Sequence, residues 1–215
     1  MPRSVVSSPY PDVARHEMLK FIPNGCACVL DVGCHTGAFG RMLKDSGIAT
    51  VWGIEADPAT AAEAGRHLDH VVTGYFAQEQ VPDGYFDAIV FNDVLEHIPD
   101  PSVALRIAAK KLKPGGVVVA SIPNLRHIDN LVHIVREKDF RYEAVGVRDR
   151  THLRFFTQKS IPQLFEQSGY AIDRIEGINE SAWGYSLARR ILFRVFADYF
   201  DDTRYEQFAV VARCK

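Results

Sequence analysis

The sequence lacks a long hydrophobic run and a run of basic residues. No uninterrupted apolar stretch approaches the roughly 18–20 residues that span a bilayer, and the first 18 residues have no apolar core typical of a signal peptide. The net charge is -2, from 25 Lys and Arg against 27 Asp and Glu, so the basic excess typical of nucleic-acid binding is also missing. We therefore expect a cytoplasmic protein with no membrane span and no nucleic-acid partner.

Cysteine is scarce as well. Its four positions are Cys26, Cys28, Cys34 and Cys214, and they form no pair of C-x-x-C knuckles. This spacing indicates free thiols in a reducing compartment rather than a disulfide framework or a zinc site. A chain of 215 residues with 47% hydrophobic content is typical of one globular domain, here predicted to span 1–215.

The most informative stretch that is present is VLDVGCHTGAFG, residues 29–40. An apolar run rich in β-branched residues reaches Asp31 and Val32, small residues follow, and a helical pattern begins at Phe39. This order predicts a strand, a tight turn and a helix. Gly33 and Gly37 allow the backbone to turn sharply and to approach a ligand, and the first amides of the helix point toward it. The pattern indicates a site for the polar parts of a nucleotide-like cofactor.

A second strand supports this interpretation. Residues 50–55, TVWGIE, end in Glu55 about 20 residues after the turn, where a carboxylate accepts hydrogen bonds from ribose hydroxyls. Nicotinamide-binding domains favour G-x-G-x-x-G, whereas Gly33, His35 and Gly37 occupy a G-x-G-x-G frame whose middle glycine is replaced. Together with Asp31, this frame disfavours a nicotinamide cofactor.

With two further segments, FDAIVFNDVLEHIPDP at 86–101 and LKPGGVVVASIPN at 112–124, the chain resembles the class I S-adenosylmethionine (SAM) dependent methyltransferases over about 29–177. The resemblance implies SAM as the cofactor. It also implies an α/β fold with a doubly wound, mostly parallel seven-stranded sheet whose last strand is antiparallel. The implied cofactor-binding residues are Asp31, Gly33, Cys34, His35, Gly37, Glu55, Ala56, Tyr75, Phe76, Asn92, Asp93 and Val94.

Two residues depart from the family pattern. His35 replaces the middle glycine, so either its side chain points away from the cofactor or the turn widens. Tyr75 stands where the family often has an aspartate near the adenine amine, and stacking by Tyr75 or Phe76 is expected to replace that contact. A protein that kept the fold but lost catalysis is the alternative that these departures motivate.

Residues outside the motifs complete the predicted architecture. Helices are expected at 12–21, from the cap Asp57 through Leu68, and at 157–168 with Thr157 as the cap, and a strand is expected at 86–92. An arm and a helix occupy 1–24, where Tyr10 and Arg15 are weak candidates for a contact with the methionine carboxylate of the cofactor, and exposed surface positions are the favoured alternative. A C-terminal helix at 181–200 carries apolar residues at helical spacing, which favours core packing or a homodimer face.

Residues 124–156 interrupt the alternation of strands and helices, and an insertion here is expected to choose the methyl acceptor. A hydroxyl acceptor must lose its proton, and a histidine is suited to take it. His152 is the first candidate base, His127 the second and His97 the third. The alternatives are a helix cap or backbone bond for His152, a surface position on a helix for His127, and a capping or packing role for His97. The predicted substrate-binding residues are Asn124, Arg148, Asp149, Arg150 and Arg154, with the arginines as an anion clamp.

PNLRH and DRTHLRFFT in this insertion resemble a bacterial subgroup associated with polysaccharide and sugar-nucleotide pathways. The leading hypothesis is methyl transfer to a small-molecule or glycan hydroxyl. An amine, a carboxylate or a quinone-like phenol remains an alternative acceptor. A metal-dependent form would use Asp129, Asp149 and His152, but no compact ligand motif supports it, so no metal is predicted.

Overall fold

The computed structural model describes residues 14–181 and 196–215. Seven strands form one sheet in the order β3-β2-β1-β4-β5-β7-β6. The strands are β1 Cys28–Val32, β2 Thr50–Glu55, β3 His70–Thr73, β4 Phe86–Asn92, β5 Leu112–Pro123, β6 Tyr170–Glu180 and β7 Tyr205–Cys214. The first five are mutually parallel, and β7 runs antiparallel to both β5 and β6. The predicted fold class is confirmed.

The central strands are apolar because both faces of the sheet are covered. Every residue of β1 is buried, and successive side chains alternate between two core clusters. Leu30 and Phe91 pack on one side, while Val29 and Val90 pack on the other. This double burial fixes the register that brings the carboxyl ends of β1, β2 and β4 to one edge.

Five α-helices of seven or more residues lie within the described ranges: α1 Ala38–Asp45, α2 Pro58–Ala64, α3 Pro101–Lys111, α4 Ile128–Glu137 and α5 Ser160–Gln167. Asp57 caps α2 as predicted, since its Oδ1 accepts the amides of Ala59 and Thr60 at 3.0 and 2.9 Å. The helix ends at Ala64, earlier than the predicted Leu68. None of the helices in these ranges is long and apolar enough to cross a membrane.

The segments at the two ends differ from the predictions. Among the described residues of the predicted N-terminal helix, His16–Phe21 form a 3-10 helix, and Arg15 before them takes a left-handed conformation (φ 44°) that a regular α-helix does not contain. Residues 1–13 and 182–195 lie outside the described residues, and with them Tyr10 and most of the predicted helix at 181–200. A short helical turn at Ala197–Phe200 lies inside.

Helix α5 begins later in the chain than the sequence predicts. The helix begins at Ser160, while Thr157 stands before it and accepts the Ser160 amide on Oγ1 at 3.2 Å. Capping by Thr157 therefore acts one turn earlier than the regular helix. The cysteine prediction is matched, since all four cysteines are free thiols.

Candidate active site

A large cleft opens at the carboxyl ends of β1, β2 and β4 and continues under the insertion that follows β5. Its volume is about 1440 Å³. The edge of the sheet supplies one half of its lining, from Asp31 to Val94, and we call this the cofactor half. The insertion and the loop after β4 supply the other, which we call the acceptor half. Ligands of open parallel sheets bind at this edge because strand ends and helix starts leave polar groups there.

The glycine turn between β1 and α1 has little room for side chains. Gly33 has φ 73°, and a Cβ there would stand 2.7 Å from Cγ2 of Val94. Gly37 caps α1 with φ 83°, and its Cβ would lie 3.2 Å from the Cα of Ala64. The amides of Gly33 and Cys34 both donate to the carbonyl of Ile54, at 2.8 and 3.1 Å. These contacts fix the turn against β2 and leave its face toward the cleft.

His35 keeps the turn tight by adopting a left-handed conformation (φ 50°), the backbone state that glycine would have taken. Its amide donates to Oε2 of Glu55 at 2.9 Å. His35 is among the residues that line the cleft, and its Nε2 is buried without a hydrogen-bond partner. The left-handed backbone of His35 therefore takes the place of the missing middle glycine in this turn.

The carboxylate of Glu55 is positioned by backbone amides. Its two oxygens accept from His35 and from Asp57, at 2.9 and 2.8 Å, which holds the group at the end of β2. Asp31, on the neighbouring strand, is 2% exposed. Burial, reinforced by the nearby Glu55 charge and opposed by Arg15, raises the pKa of Asp31 to about 7. Ala56 continues the lining.

The two aromatic residues after β3 both line the cleft but differ in support. Phe76 packs edge-on against Phe91 with ring centroids 5.7 Å apart, so its ring is held in place. Tyr75 is 84% exposed at the rim. Of the two expected stacking surfaces, Phe76 is the fixed one.

Asn92, Asp93 and Val94 form the end of β4. Both polar atoms of the Asn92 amide are buried without a partner. Asp93, with φ 55°, accepts on Oδ1 from Gln207 at 2.7 Å and from Ser121 at 3.1 Å, and its Oδ2 pairs with the Arg15 guanidinium. Asp93 is thus held from three sides, whereas Asn92 still has hydrogen-bonding capacity.

Arg15 and Gln207 join the site from opposite ends of the chain. Arg15 also pairs with Glu17, and its Nη2 donates to Gln207 at 3.1 Å. The sequence offers Arg15 only as a weak candidate and does not indicate Gln207, because a polar residue on an alternating strand carries no signal until pairing with β5 places it beside Asp93.

The acceptor half contains a cluster formed by Glu96, His97 and His152, whose ligand-type atoms lie within 4.8 Å of one another. His152 Nε2 stands 3.9 Å from Oε1 of Glu96, and the two imidazole centroids are 4.8 Å apart. Glu96 is 1% exposed, and neither of its carboxylate oxygens has a hydrogen-bond partner. Burial first, then the Asp93 charge, raises the pKa of Glu96 well above its ordinary value.

His152 is the histidine that the sequence ranks first as a base. Its Nδ1 bonds the carbonyl of Val147 at 3.1 Å, and burial together with the His97 ring lowers its pKa. A carbonyl only accepts hydrogen bonds, so Nδ1 carries the proton and Nε2 carries the lone pair. His97 is fixed by Thr151, whose carbonyl and hydroxyl oxygens lie 3.2 and 3.1 Å from its Nδ1.

His127 lines the cleft at the start of α4, with Nε2 3.0 Å from the Ser181 hydroxyl. Arg148 also lines it, but its guanidinium is engaged by Asn130 at 3.1 Å, by the Arg141 carbonyl at 3.1 Å and by Glu143. Asp149 is buried and accepts the amide and the hydroxyl of Thr151, each at 2.7 Å. These residues shape the insertion.

Three of the predicted substrate-binding residues do not line the cleft: Asn124, Arg150 and Arg154. Asn124 is fully buried and donates to the carbonyls of Asp202 and Tyr205 at 2.9 and 3.0 Å, so it joins the insertion to the C-terminal segment. Arg154 donates to the Pro99 carbonyl at 2.8 Å, and Arg150 is exposed. The structure does not form the predicted arginine clamp, because two of its members bond backbone or face solvent.

The charge of the cleft is strongly negative. Among the described residues that line it are eleven carboxylates and two guanidinium groups, Arg15 and Arg148, both already paired. Such a lining attracts cations and disfavours a polyanionic ligand such as a nucleotide diphosphate.

Comparison with known proteins gives one family. A family model described as a methyltransferase domain matches residues 11–175. A protein named ubiquinone biosynthesis O-methyltransferase, from Aliivibrio fischeri strain MJ11, is 30% identical over 173 residues, covering 76% of this chain and 73% of the relative.

Solved structures give the same fold. A SAM-dependent methyltransferase from Archaeoglobus fulgidus superposes with a TM-score of 0.68 at 20% identity, covering 91% of this chain and 90% of the other. Another from Mesorhizobium loti reaches a TM-score of 0.63 at 18% identity, covering 94% of this chain and 98% of the other. At these identities the likeness concerns the fold.

Proposed function

The chain belongs to the methyltransferase domain family and is a SAM-dependent enzyme; from this premise we propose that it methylates a hydroxyl oxygen of a small, ring-bearing acceptor of the phenolic type. The observation that carries the proposal is the position of His152. Its Nε2 lone pair is directed into the cluster beside Glu96 and His97, in the half of the cleft next to the proposed cofactor site. Transfer to a hydroxyl needs such a proton acceptor.

The charge of the cleft favours a phenol over a sugar nucleotide. The predicted clamp for a nucleotide diphosphate is not assembled, and the lining is acidic. Beside the cluster lie the apolar side chains of Ile98, Val145 and Val147, which suit a flat ring. The relative named ubiquinone biosynthesis O-methyltransferase, whose name concerns a quinone, agrees with this acceptor class.

The chemistry assigned to the chain is mainly orientation. In the cofactor half, the glycine turn, Glu55 and Phe76 would hold the nucleoside and methionine parts of SAM. A cofactor held there would present its sulfonium methyl to the acceptor half, and alignment of the acceptor oxygen with that methyl would supply much of the rate enhancement. As a C–O bond forms and the C–S bond breaks, His152 accepts the hydroxyl proton, and S-adenosylhomocysteine is the second product.

The test is an acceptor panel with labelled SAM. Catechol-type and hydroxybenzoate phenols are compared with sugar nucleotides and with amines, and products are identified by mass spectrometry. We expect O-methylated phenol and no product from sugar nucleotides. The variant His152→Gln should lower kcat by about 10²–10⁴-fold, the usual contribution of a positioned base.

The binding of S-adenosylhomocysteine should be unchanged in His152→Gln, because the residue lies in the acceptor half. His67→Gln is the matched control, since His67 pairs with Glu63 and does not line the cleft. Turnover of a sugar nucleotide or an amine instead of phenols would overturn the acceptor assignment. Equal kcat values for the two variants would overturn the role of His152.

A further inference from the structure

Glu96 is the least satisfied charged group among the described residues. Its side chain is 1% exposed, and neither oxygen accepts a hydrogen bond. A buried carboxylate without donors is costly, so native proteins pair it, protonate it or coordinate it to a metal. Its backbone carbonyl, by contrast, accepts the amides of Leu153 and Arg154 at 2.8 and 3.0 Å, which holds the residue against the insertion.

The two histidines beside Glu96 are each oriented by polar contacts of their Nδ1 atoms. His152 Nδ1 bonds the Val147 carbonyl at 3.1 Å, and the Thr151 carbonyl and hydroxyl lie 3.2 and 3.1 Å from His97 Nδ1. Histidines that bind metals almost always donate their other ring nitrogen to a carbonyl or a carboxylate in this way. The 3.9 Å between His152 Nε2 and Glu96 Oε1 is too long for a hydrogen bond and leaves space between the two atoms.

We propose that Glu96, His97 and His152 bind one divalent transition-metal ion. Their ligand atoms lie within 4.8 Å of one another, and metal–ligand bonds of about 2.0–2.2 Å are reached by small inward rotations of the side chains. One carboxylate with two imidazoles suits Zn²⁺, Mn²⁺, Fe²⁺ or Co²⁺ better than Mg²⁺ or Ca²⁺, which prefer oxygen ligands. The acidic lining of the cleft favours entry of a cation.

The neighbouring carboxylates of Asp93 and Asp149 already have other hydrogen-bond partners. Asp93 is held by Arg15, Gln207 and Ser121, and Asp149 accepts two hydrogen bonds from Thr151. The proposed metal ligands therefore differ from the ligands considered from the sequence, which were Asp129, Asp149 and His152. Only His152 belongs to both groups. The ion would join the loop after β4, through Glu96 and His97, to the insertion, through His152.

The catalytic role of the ion rests on the proposed function. A coordinated acceptor hydroxyl has a lowered pKa, so its proton leaves to water at the mouth of the cleft before the oxygen takes the methyl group from SAM. When the ion is bound, His152 serves as a metal ligand. The ion, rather than the lone pair of His152, then activates the acceptor hydroxyl.

The test measures metal binding without SAM and without acceptor. Chelator-treated, dialysed full-length protein is titrated with Co²⁺, followed by the visible absorption that imidazole ligation gives, and with Zn²⁺ and Mg²⁺ by calorimetry. We expect one ion of Co²⁺ or Zn²⁺ per chain and at least 10-fold weaker binding of Mg²⁺. Glu96→Gln and His97→Gln should each weaken Co²⁺ binding by about 100-fold, while His67→Gln should bind as the unmodified protein does.

Binding of S-adenosylhomocysteine checks that each variant is folded. No saturable Co²⁺ or Zn²⁺ binding, or equal binding in Glu96→Gln and the unmodified protein, would overturn the site. If Glu96→Gln does not fold, His97→Gln decides the question alone. Because these measurements need no acceptor, they separate failure of the metal site from failure of the proposed methyl transfer.

Discussion

The cofactor half and the acceptor half of the cleft are constructed in different ways. In the cofactor half, backbone groups do most of the positioning: the amides of His35 and Asp57 hold Glu55, and the turn at Gly33 bonds the carbonyl of Ile54. In the acceptor half, side chains bond backbone groups of distant segments, as His97 does with the carbonyl of Thr151.

This difference predicts that the cofactor half tolerates substitution less than the acceptor half does. A glycine turn has few alternatives, because a Cβ at Gly33 would meet Val94. The insertion is fixed by individual polar contacts, each of which another residue could replace. We expect substitutions in the cofactor half to abolish binding of every ligand that uses it, and substitutions in the acceptor half to change stability or acceptor choice.

The largest contrast should come from two glycines that share a positive φ. Gly33→Ala places a Cβ 2.7 Å from Val94 in a left-handed conformation, whereas Gly146→Ala, at φ 87° in the insertion, meets nothing within 4 Å. Strain of about 1–2 kcal/mol applies to both, and overpacking adds about 1–3 kcal/mol at Gly33 only.

Calorimetry should therefore find S-adenosylhomocysteine binding weakened by about 100-fold or more in Gly33→Ala and unchanged in Gly146→Ala. Equal affinities in the two variants would show that the close approach to Val94 does not shape the cofactor half.

An intermediate effect is expected at Asn124. Asn124→Ala leaves two buried carbonyls without their donor, which costs about 2–3 kcal/mol of unfolding free energy and lowers Tm by roughly 4–12 °C. Binding of S-adenosylhomocysteine should persist. Arg150→Ala, at an exposed site of the same insertion, should change Tm by less than about 2 °C. Loss of acceptor binding in Arg150→Ala would instead support the predicted arginine clamp.

The smallest effect should be a pH dependence of cofactor binding through Asp31. Burial raises its pKa to about 7, so the carboxyl is protonated below that pH in the ligand-free protein. The cationic amino group of S-adenosylhomocysteine favours the ionised form. Affinity should therefore rise by a few fold from pH 6 to pH 8 and level off above the pKa. Asp31→Asn should flatten this profile, and an unchanged slope in that variant would assign the dependence to another group.

The raised pKa of Asp31 also bears on stability. Because the folded value lies above the ordinary value of 3.8, ionisation of this carboxyl disfavours the folded state as pH rises from about 4 toward 7. Any stabilisation of ligand-free Asp31→Asn should thus appear at neutral pH and vanish in acid.

The sequence predicted the strands and the glycine turn that border the cofactor half, while the contacts in the acceptor half were predicted only in part. Strands β2 and β4 have the predicted ends, because apolar runs that are buried on both faces are bounded by polar residues and glycines. His152 was singled out by residue type and does lie in the cleft. Gln207 was not, and Arg150 and Arg154 were assigned to a clamp that the structure does not form.

Local patterns therefore determined the sheet, the glycine turn and the carboxylate of Glu55, since each depends on residues close together along the chain. Tertiary structure alone decided that Glu96 is buried without donors, that His152 reaches it from 56 positions later in the sequence, and that Arg15 closes on Asp93. Those contacts depend on how the insertion and the chain ends fold back over the sheet, and no spacing within a single element encodes that path.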